Sequence, residues 1–165
     1  GGPYPIGNYG LGEPVVFVFM GPVMVMATYY VQAQEITLAP FVASLPVAFV
    51  VTAILHCNNI RDVEEDRASG KRSIAAWIGL TPSRWLYAGM LAGAYISIAA
   101  AVATDVLGPW ALLGLLPLPW AAIAVQRLFV ANERPAMNML LVRSGKLHGL
   151  TGASLASGLF LNAIL

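Results

Sequence analysis

Five long runs almost free of charge dominate the chain and decide its solvent before any motif is read. They extend approximately from Pro14 to Ala33, Leu38 to Cys57, Trp85 to Thr104, Leu107 to Val125 and Leu147 to Leu165. Each approaches the roughly 20 apolar residues with which a helix crosses about 30 Å of hydrocarbon. Bilayer lipid offers the backbone no water to bond, so a run of that length must close its own N–H···O=C ladder. Only 10% of the 165 residues are charged and 58% are hydrophobic, against about 25% charged in ordinary soluble domains. The expected fold is therefore all-α, a multi-span transmembrane helical bundle with five spans in this chain. Pro22, Pro46, Pro117 and Pro119 fall inside the runs and predict kinks, the freed carbonyls being met by neighbouring helices or water. Gly89 with Gly93, Gly149 with Ala153, and Ser154 with Gly158 are small residues four apart, a spacing that lets helices approach closely.

The cations gather between the runs. Arg61, Arg67, Lys71, Arg72 and Arg84 lie between the second and third, and Arg127, Arg134, Arg143 and Lys146 between the fourth and fifth. The opposite edge has neither Lys nor Arg, so the positive-inside rule places both basic loops in the cytoplasm. A multi-pass protein of the cell's inner or plasma membrane is expected, its charged loops facing the cytoplasm. A net charge of +1 gives no footing to a nucleic-acid partner. Cys57 is the single cysteine and cannot form an internal disulfide; no Cys/His cluster has the spacing of a zinc or haem site. The opening Gly-Gly-Pro-Tyr-Pro-Ile-Gly-Asn-Tyr-Gly-Leu-Gly reads as a loop between helices and lacks the basic n-region of a signal peptide. The expectation is the later part of a longer polypeptide, with spans upstream.

Where charge does occur beside the second run, it is ordered. Asn58, Asp62 and Asp66 are spaced by four in the segment Asn58-Asn59-Ile60-Arg61-Asp62-Val63-Glu64-Glu65-Asp66-Arg67. If the second span continues as a helix through Arg67, these three project with Glu65 from one side, climbing about 6 Å per step, while Glu64 and Arg67 point elsewhere. One amide and two carboxylates on a strip suit a hard cation such as Mg²⁺, which takes one or two protein carboxylates and completes its shell with water and substrate phosphate oxygens. Gly70 should end the helix, and Lys71 and Arg72 follow it directly as phosphate-binding candidates. The bland alternative is a solvated loop of Glu/Arg pairs. Against it stand cations placed mostly off the acidic face and the position of the strip against the membrane, where acids are costly unless used. His56 reads as a span-end residue and Cys57 as packing.

The run Asn58-Asn59-Ile60-Arg61-Asp62 with Asp66, followed by Gly70-Lys71-Arg72 and Gly79, resembles the second aspartate-rich motif of the UbiA superfamily of intramembrane prenyltransferases. Gly1-Gly2-Pro3-Tyr4-Pro5 with Gly10-Leu11-Gly12-Glu13, and Thr28-Tyr29-Tyr30-Val31-Gln32, resemble the branch that prenylates 1,4-dihydroxy-2-naphthoate in menaquinone synthesis. The resemblance covers almost the whole chain. It implies one nine-helix domain of which residues 1–165 supply the fifth to ninth helices, an upstream Asn/Asp motif in the missing N-terminal half facing this one across a cavity, and Mg²⁺ as cofactor. It implies Asp62 and Asp66 as catalytic carboxylates, with Asn58 beside them as a metal ligand. Asn59, Arg61, Lys71, Arg72, Tyr29, Tyr30 and Gln32 become substrate-binding candidates for a polyprenyl diphosphate and an aromatic acceptor. Ala76, Trp77 and Ile78 stand where relatives often have Val, Arg and Leu, which removes one phosphate contact. Three alternatives stay open: a non-catalytic half-length membrane subunit, a prenyltransferase for another aromatic acceptor, and a CDP-alcohol phosphotransferase, whose upstream Asp-Gly and Ala-Arg pairs do not precede Asp62.

Overall fold

The computed structural model describes residues 6–165, and every regular element among them is helical. After a short turn at Ile6–Tyr9, helix α1 covers Gly12–Ala33 and α2 Leu38–Arg61. Two short helices follow, α3 (Val63–Ala68) and α4 (Ile74–Ile78). Then come α5 (Leu80–Ala103), a 3₁₀ segment Pro109–Leu115 leading into α6 (Leu118–Val130), and α7 (Arg134–Ile164). By length and composition four stretches can cross a membrane: Gly12–Ala33, Leu38–Arg61, Leu80–Ala103 and Pro109–Val130. The run Leu147 to Leu165, read as a fifth span, lies in α7, where His148, Thr151, Ser154, Ser157 and Asn162 dilute the apolar character. Gly1-Gly2-Pro3-Tyr4-Pro5 lies outside the described residues.

The prolines act where the helices become irregular, with one exception. Pro22 sits in a π-helical turn, Phe19–Val23, that interrupts α1, a common way to absorb a carbonyl left without its N–H donor. Pro117 and Pro119 mark the change from the 3₁₀ segment to α6. Pro46 is accommodated inside α2 without a break in helical assignment.

The helices run up and down around α2. Phe17 of α1 meets Phe49 of α2 edge-on with centroids 4.8 Å apart, and Gly21 presses its backbone so closely on Ala48 that no β-carbon fits. α5 crosses α2 where Gly93 packs on the Phe49 ring, and joins α7 through hydrogen bonds between Tyr87 Oη and Ser144 Oγ (2.8 Å) and between Tyr95 Oη and Thr151 Oγ1 (3.2 Å). In lipid, where apolar burial gives helices little net attraction, small-residue contacts and such bonds supply much of the association. The expected glycine seams are borne out in part. Gly158 lies against the Trp110 backbone, but a β-carbon at Gly89 or Gly149 would meet nothing within 4 Å among the described residues. Spacing alone does not say which side of a helix its neighbour takes.

A candidate diphosphate and cation site

The acidic motif does not lie on one unbroken helix, as its spacing had predicted. Asp62 leaves helical geometry, with φ −100° and ψ 13°, and separates α2 from α3. The ladder still runs through it: Asp62 N–H donates to Asn58 O at 3.1 Å and Asp66 N–H to Asp62 O at 2.8 Å. Asn58 and Asp62 remain neighbours, the Asn58 amide donating to Asp62 Oδ2 at 3.2 Å.

The cations also sit closer than expected. Arg61 donates from Nε to Asp62 Oδ1 and from Nη2 to Asp62 Oδ2, each at 2.7 Å, and from Nη2 to Asn58 Oδ1 at 2.8 Å. From α7, Arg134 Nη2 reaches Asp62 Oδ1 at 3.3 Å and Glu65 Oε2 at 3.1 Å, and its Nη1 donates to Glu65 Oε1. The bidentate Arg61 contact, reinforced by the Arg134 charge, holds the Asp62 carboxyl below its ordinary pKa against the opposing effect of partial burial. Helical spacing alone puts the cations mostly off this face, but the long Arg61 side chain folds back onto its neighbour Asp62, and Arg134 arrives from 72 positions away.

Asp66 belongs to a separate cluster. It is buried, and its carboxylate accepts from Lys71 Nζ at 3.0 and 3.1 Å and from Ser73 Oγ at 2.7 Å. Gly70 makes this possible and ends the helix as predicted: at φ +75° its N–H bonds Arg67 O (3.2 Å) while Lys71 N–H bonds Asp66 O (2.8 Å). That pair of bonds is a Schellman cap. Ser73 in turn caps α4 by accepting from Ala76 N–H at 3.3 Å. Lys71, expected to face phosphate, is thus bonded to Asp66, while Arg72 lines a cleft of about 520 Å³ with Tyr9, Arg67, Lys71 and a largely exposed Trp77.

Asn59 turns away from Asn58. It is buried and donates from Nδ2 to Glu13 Oε1 at 3.0 Å, and the same oxygen meets His56 Nδ1 at 2.9 Å. His56 Nε2 faces Ser83 O at 3.0 Å, so that nitrogen carries the hydrogen. His56 is therefore a fully buried bridge between α1, α2 and α5, and Cys57 is buried packing. Tyr29, Tyr30 and Gln32 lie near the far end of α1, roughly 24 Å along the helix from Glu13, with Tyr29 bonded to Glu35. The structure does not bring them to the acidic motif.

Sequence reasoning missed Glu13, Ser73, Ser83, Arg134 and Asn138 as partners in these networks. Glu13 had a signal of its own, a lone acid in the first turn of an otherwise uncharged span. Asn138, which accepts from Arg61 Nη1 at 3.0 Å, had none.

As a cation site, the donor set fits. Among the described residues no three His, Cys, Asp or Glu side chains converge, but Asn58 Oδ1 and both Asp62 oxygens already surround one positive group, the Arg61 guanidinium. Hard oxygen donors gathered on a cation are what Mg²⁺ takes.

Residues 3–148 match the UbiA prenyltransferase family. The chain belongs to that family. Relatives include the 1,4-dihydroxy-2-naphthoate octaprenyltransferases of Bacillus subtilis, 37% identical over 140 residues (85% of this chain and 44% of the relative), and of Escherichia coli, 30% identical over 158 residues (96% and 51%). The human UbiA prenyltransferase domain-containing protein 1 is 36% identical over 153 residues, 92% of this chain and 43% of that protein. This UbiA-family chain thus spans about half the length of the curated relatives it matches, and the matched half contains the Asn58–Asp66 motif.

Proposed function

We propose that the protein carrying this chain is an intramembrane prenyltransferase of quinone biosynthesis. It transfers a polyprenyl group from polyprenyl diphosphate to an aromatic acceptor, 1,4-dihydroxy-2-naphthoate, with loss of the acceptor carboxyl group and release of diphosphate, in menaquinone synthesis. The observation that carries the reading is the placement of Asn58 and Asp62 at the polar end of an apolar helix, in a chain of this family whose next acidic residue on that spacing, Asp66, bonds Lys71 at the wall of a cleft lined by three cations. The names of its bacterial relatives support the acceptor.

Asn58 and Asp62 are the residues that would hold Mg²⁺, whose charge would offset that of the diphosphate as the allylic C–O bond breaks, while Asp66 positions Lys71 at the cleft. Arg67, Lys71 and Arg72 line the cleft where diphosphate oxygens would take their N–H donors. Arg61 and Arg134 hold Asp62 ionised and fix its rotamer until the substrate arrives. The apolar walls of α1, α2 and α5 keep water from the prenyl carbon while positive charge develops on it. The gathering of Lys and Arg in the two loops at this end supports a cytoplasmic position for it.

The test is Asp62→Ala in the protein as it exists in its membrane, assayed with polyprenyl diphosphate and 1,4-dihydroxy-2-naphthoate. Prenyl transfer should fall by at least about 100-fold, the scale of losing one charge-stabilising group, while helical content is retained. Undiminished transfer would remove Asp62 from the site.

A further inference from the structure

Among the described residues four cations have no carboxylate or carbonyl partner once the motif is assembled: Arg72, which lines the cleft beside Trp77, and Arg127, Arg143 and Lys146. Arg61 and Arg134 hold Asp62, Lys71 holds Asp66, and Arg67 donates to Ala76 O at 2.9 Å. Arg84 clasps Phe129 O, Ala131 O and Asn132 Oδ1 at the end of α6. Arg127, Arg143 and Lys146, by contrast, meet no carboxylate or carbonyl among the described residues; Arg143 touches only the Met139 sulfur, at 3.7 Å. All three line a single groove between α6 and α7.

The groove has a polar end and an apolar end. Arg127 and Arg143 are shared by its two parts, one of about 280 Å³ toward Val130 and Met139 and one of about 350 Å³ toward Trp120 and Leu150. Trp120 lies two turns back from Arg127, roughly 10 Å along the helix, inside the apolar stretch Pro109–Val130. Ile123, Leu147 and Leu150 share its wall. Three like charges facing one groove repel each other until an anion lies between them. A small soluble anion would meet the cations and leave the apolar wall unused, and an acidic peptide would have to descend beside a membrane-spanning segment. A phosphate head with an acyl tail matches both ends.

We propose that the α6–α7 groove is a binding site for an anionic phospholipid of the surrounding bilayer. Its phosphate lies among Arg127, Arg143 and Lys146, and one acyl chain runs along Ile123 and Leu150 toward Trp120. Basic pockets between membrane helices recognise anionic heads in this way, each Lys or Arg contributing about fivefold in binding.

The groove contains its own reporter. Trp120 fluorescence, isolated as the difference between the protein and its Trp120→Phe variant, is followed as brominated phosphatidylglycerol or brominated phosphatidylcholine is added to the purified protein. Phosphatidylglycerol should quench at about tenfold lower mole fraction or better, and the triple change Arg127→Gln, Arg143→Gln, Lys146→Gln should erase that preference. Equal quenching by the two lipids overturns the proposal, and so does a preference that survives the triple change. Displacement of the brominated phosphatidylglycerol by an equal concentration of farnesyl diphosphate also overturns it, because the groove would then be a prenyl diphosphate site. The comparison of two lipids on the unaltered protein stands even if the triple variant does not fold.

Discussion

Arg134 Nη2 lies 3.3 Å from Asp62 Oδ1 and thereby ties the first turn of α7 to the break between α2 and α3. The same guanidinium bonds Glu65, so one side chain spans the acidic motif from across the bundle. Arg134→Gln should release this latch. Amide exchange in residues 131–138 should become faster, while exchange in the buried part of α2 stays as it was; unchanged exchange near Arg134 would show that the contact restrains nothing.

The latch has a pH dependence of definite sign. Asp62 has a folded pKa below its ordinary value because Arg61, and then Arg134, favour its ionised form. A depressed carboxylate contributes stability that is present above the unfolded pKa, about 3.9, and is lost as pH falls through the folded value. Exchange protection at the start of α7 should hold from neutral pH down to about 4 and give way only below it. Loss of protection between pH 5 and 7 would assign the latch to another group.

Asp62 and Asp66, four apart in sequence, should respond differently to neutralisation. Asp66 is buried under Lys71 and Ser73, so Asp66→Ala leaves both donors without their acceptor and should cost about 1–3 kcal/mol of stability. Asp62→Ala, at a more open position, should change thermal unfolding by less. Equal losses in the two variants would contradict the separation of the clusters.

Glu13→Ala should be felt in α2 and α5 as well as in α1. The change removes at once the carboxylate that meets His56 Nδ1 and accepts from Asn59 Nδ2, an expected loss of about 1–3 kcal/mol. Combining it with His56→Ala should cost less than the sum of the single changes, since both disrupt one network. Additive unfolding shifts would mean that the two side chains act independently.

Several features were legible in the sequence because they depend on short-range periodicity. The apolar runs gave the helices Gly12–Ala33, Leu38–Arg61, Leu80–Ala103 and Pro109–Val130 to within a few residues, and Gly70 announced the end of α3. The Asn58–Asp66 spacing and the residues around it were enough to indicate the family that the comparison then showed. The same periodicity misplaced Asn59, which turns to Glu13, and grouped Asp66 with Asp62, although a non-helical residue and a local Lys71–Ser73 cage divide them.

Chemical composition alone determined that this chain forms apolar helices with charge confined to their ends, because a backbone in lipid must bond to itself. Which charges meet was decided only by tertiary structure. Arg134 on Asp62, Glu13 on His56, and Arg127 facing Arg143 and Lys146 across a groove are pairings between different helices. The physical reason is that hydrogen bonds and ion pairs act over a few ångströms, and the rotation of one helix against another, set by contacts such as Gly21 on Ala48, determines which side chains come within that range.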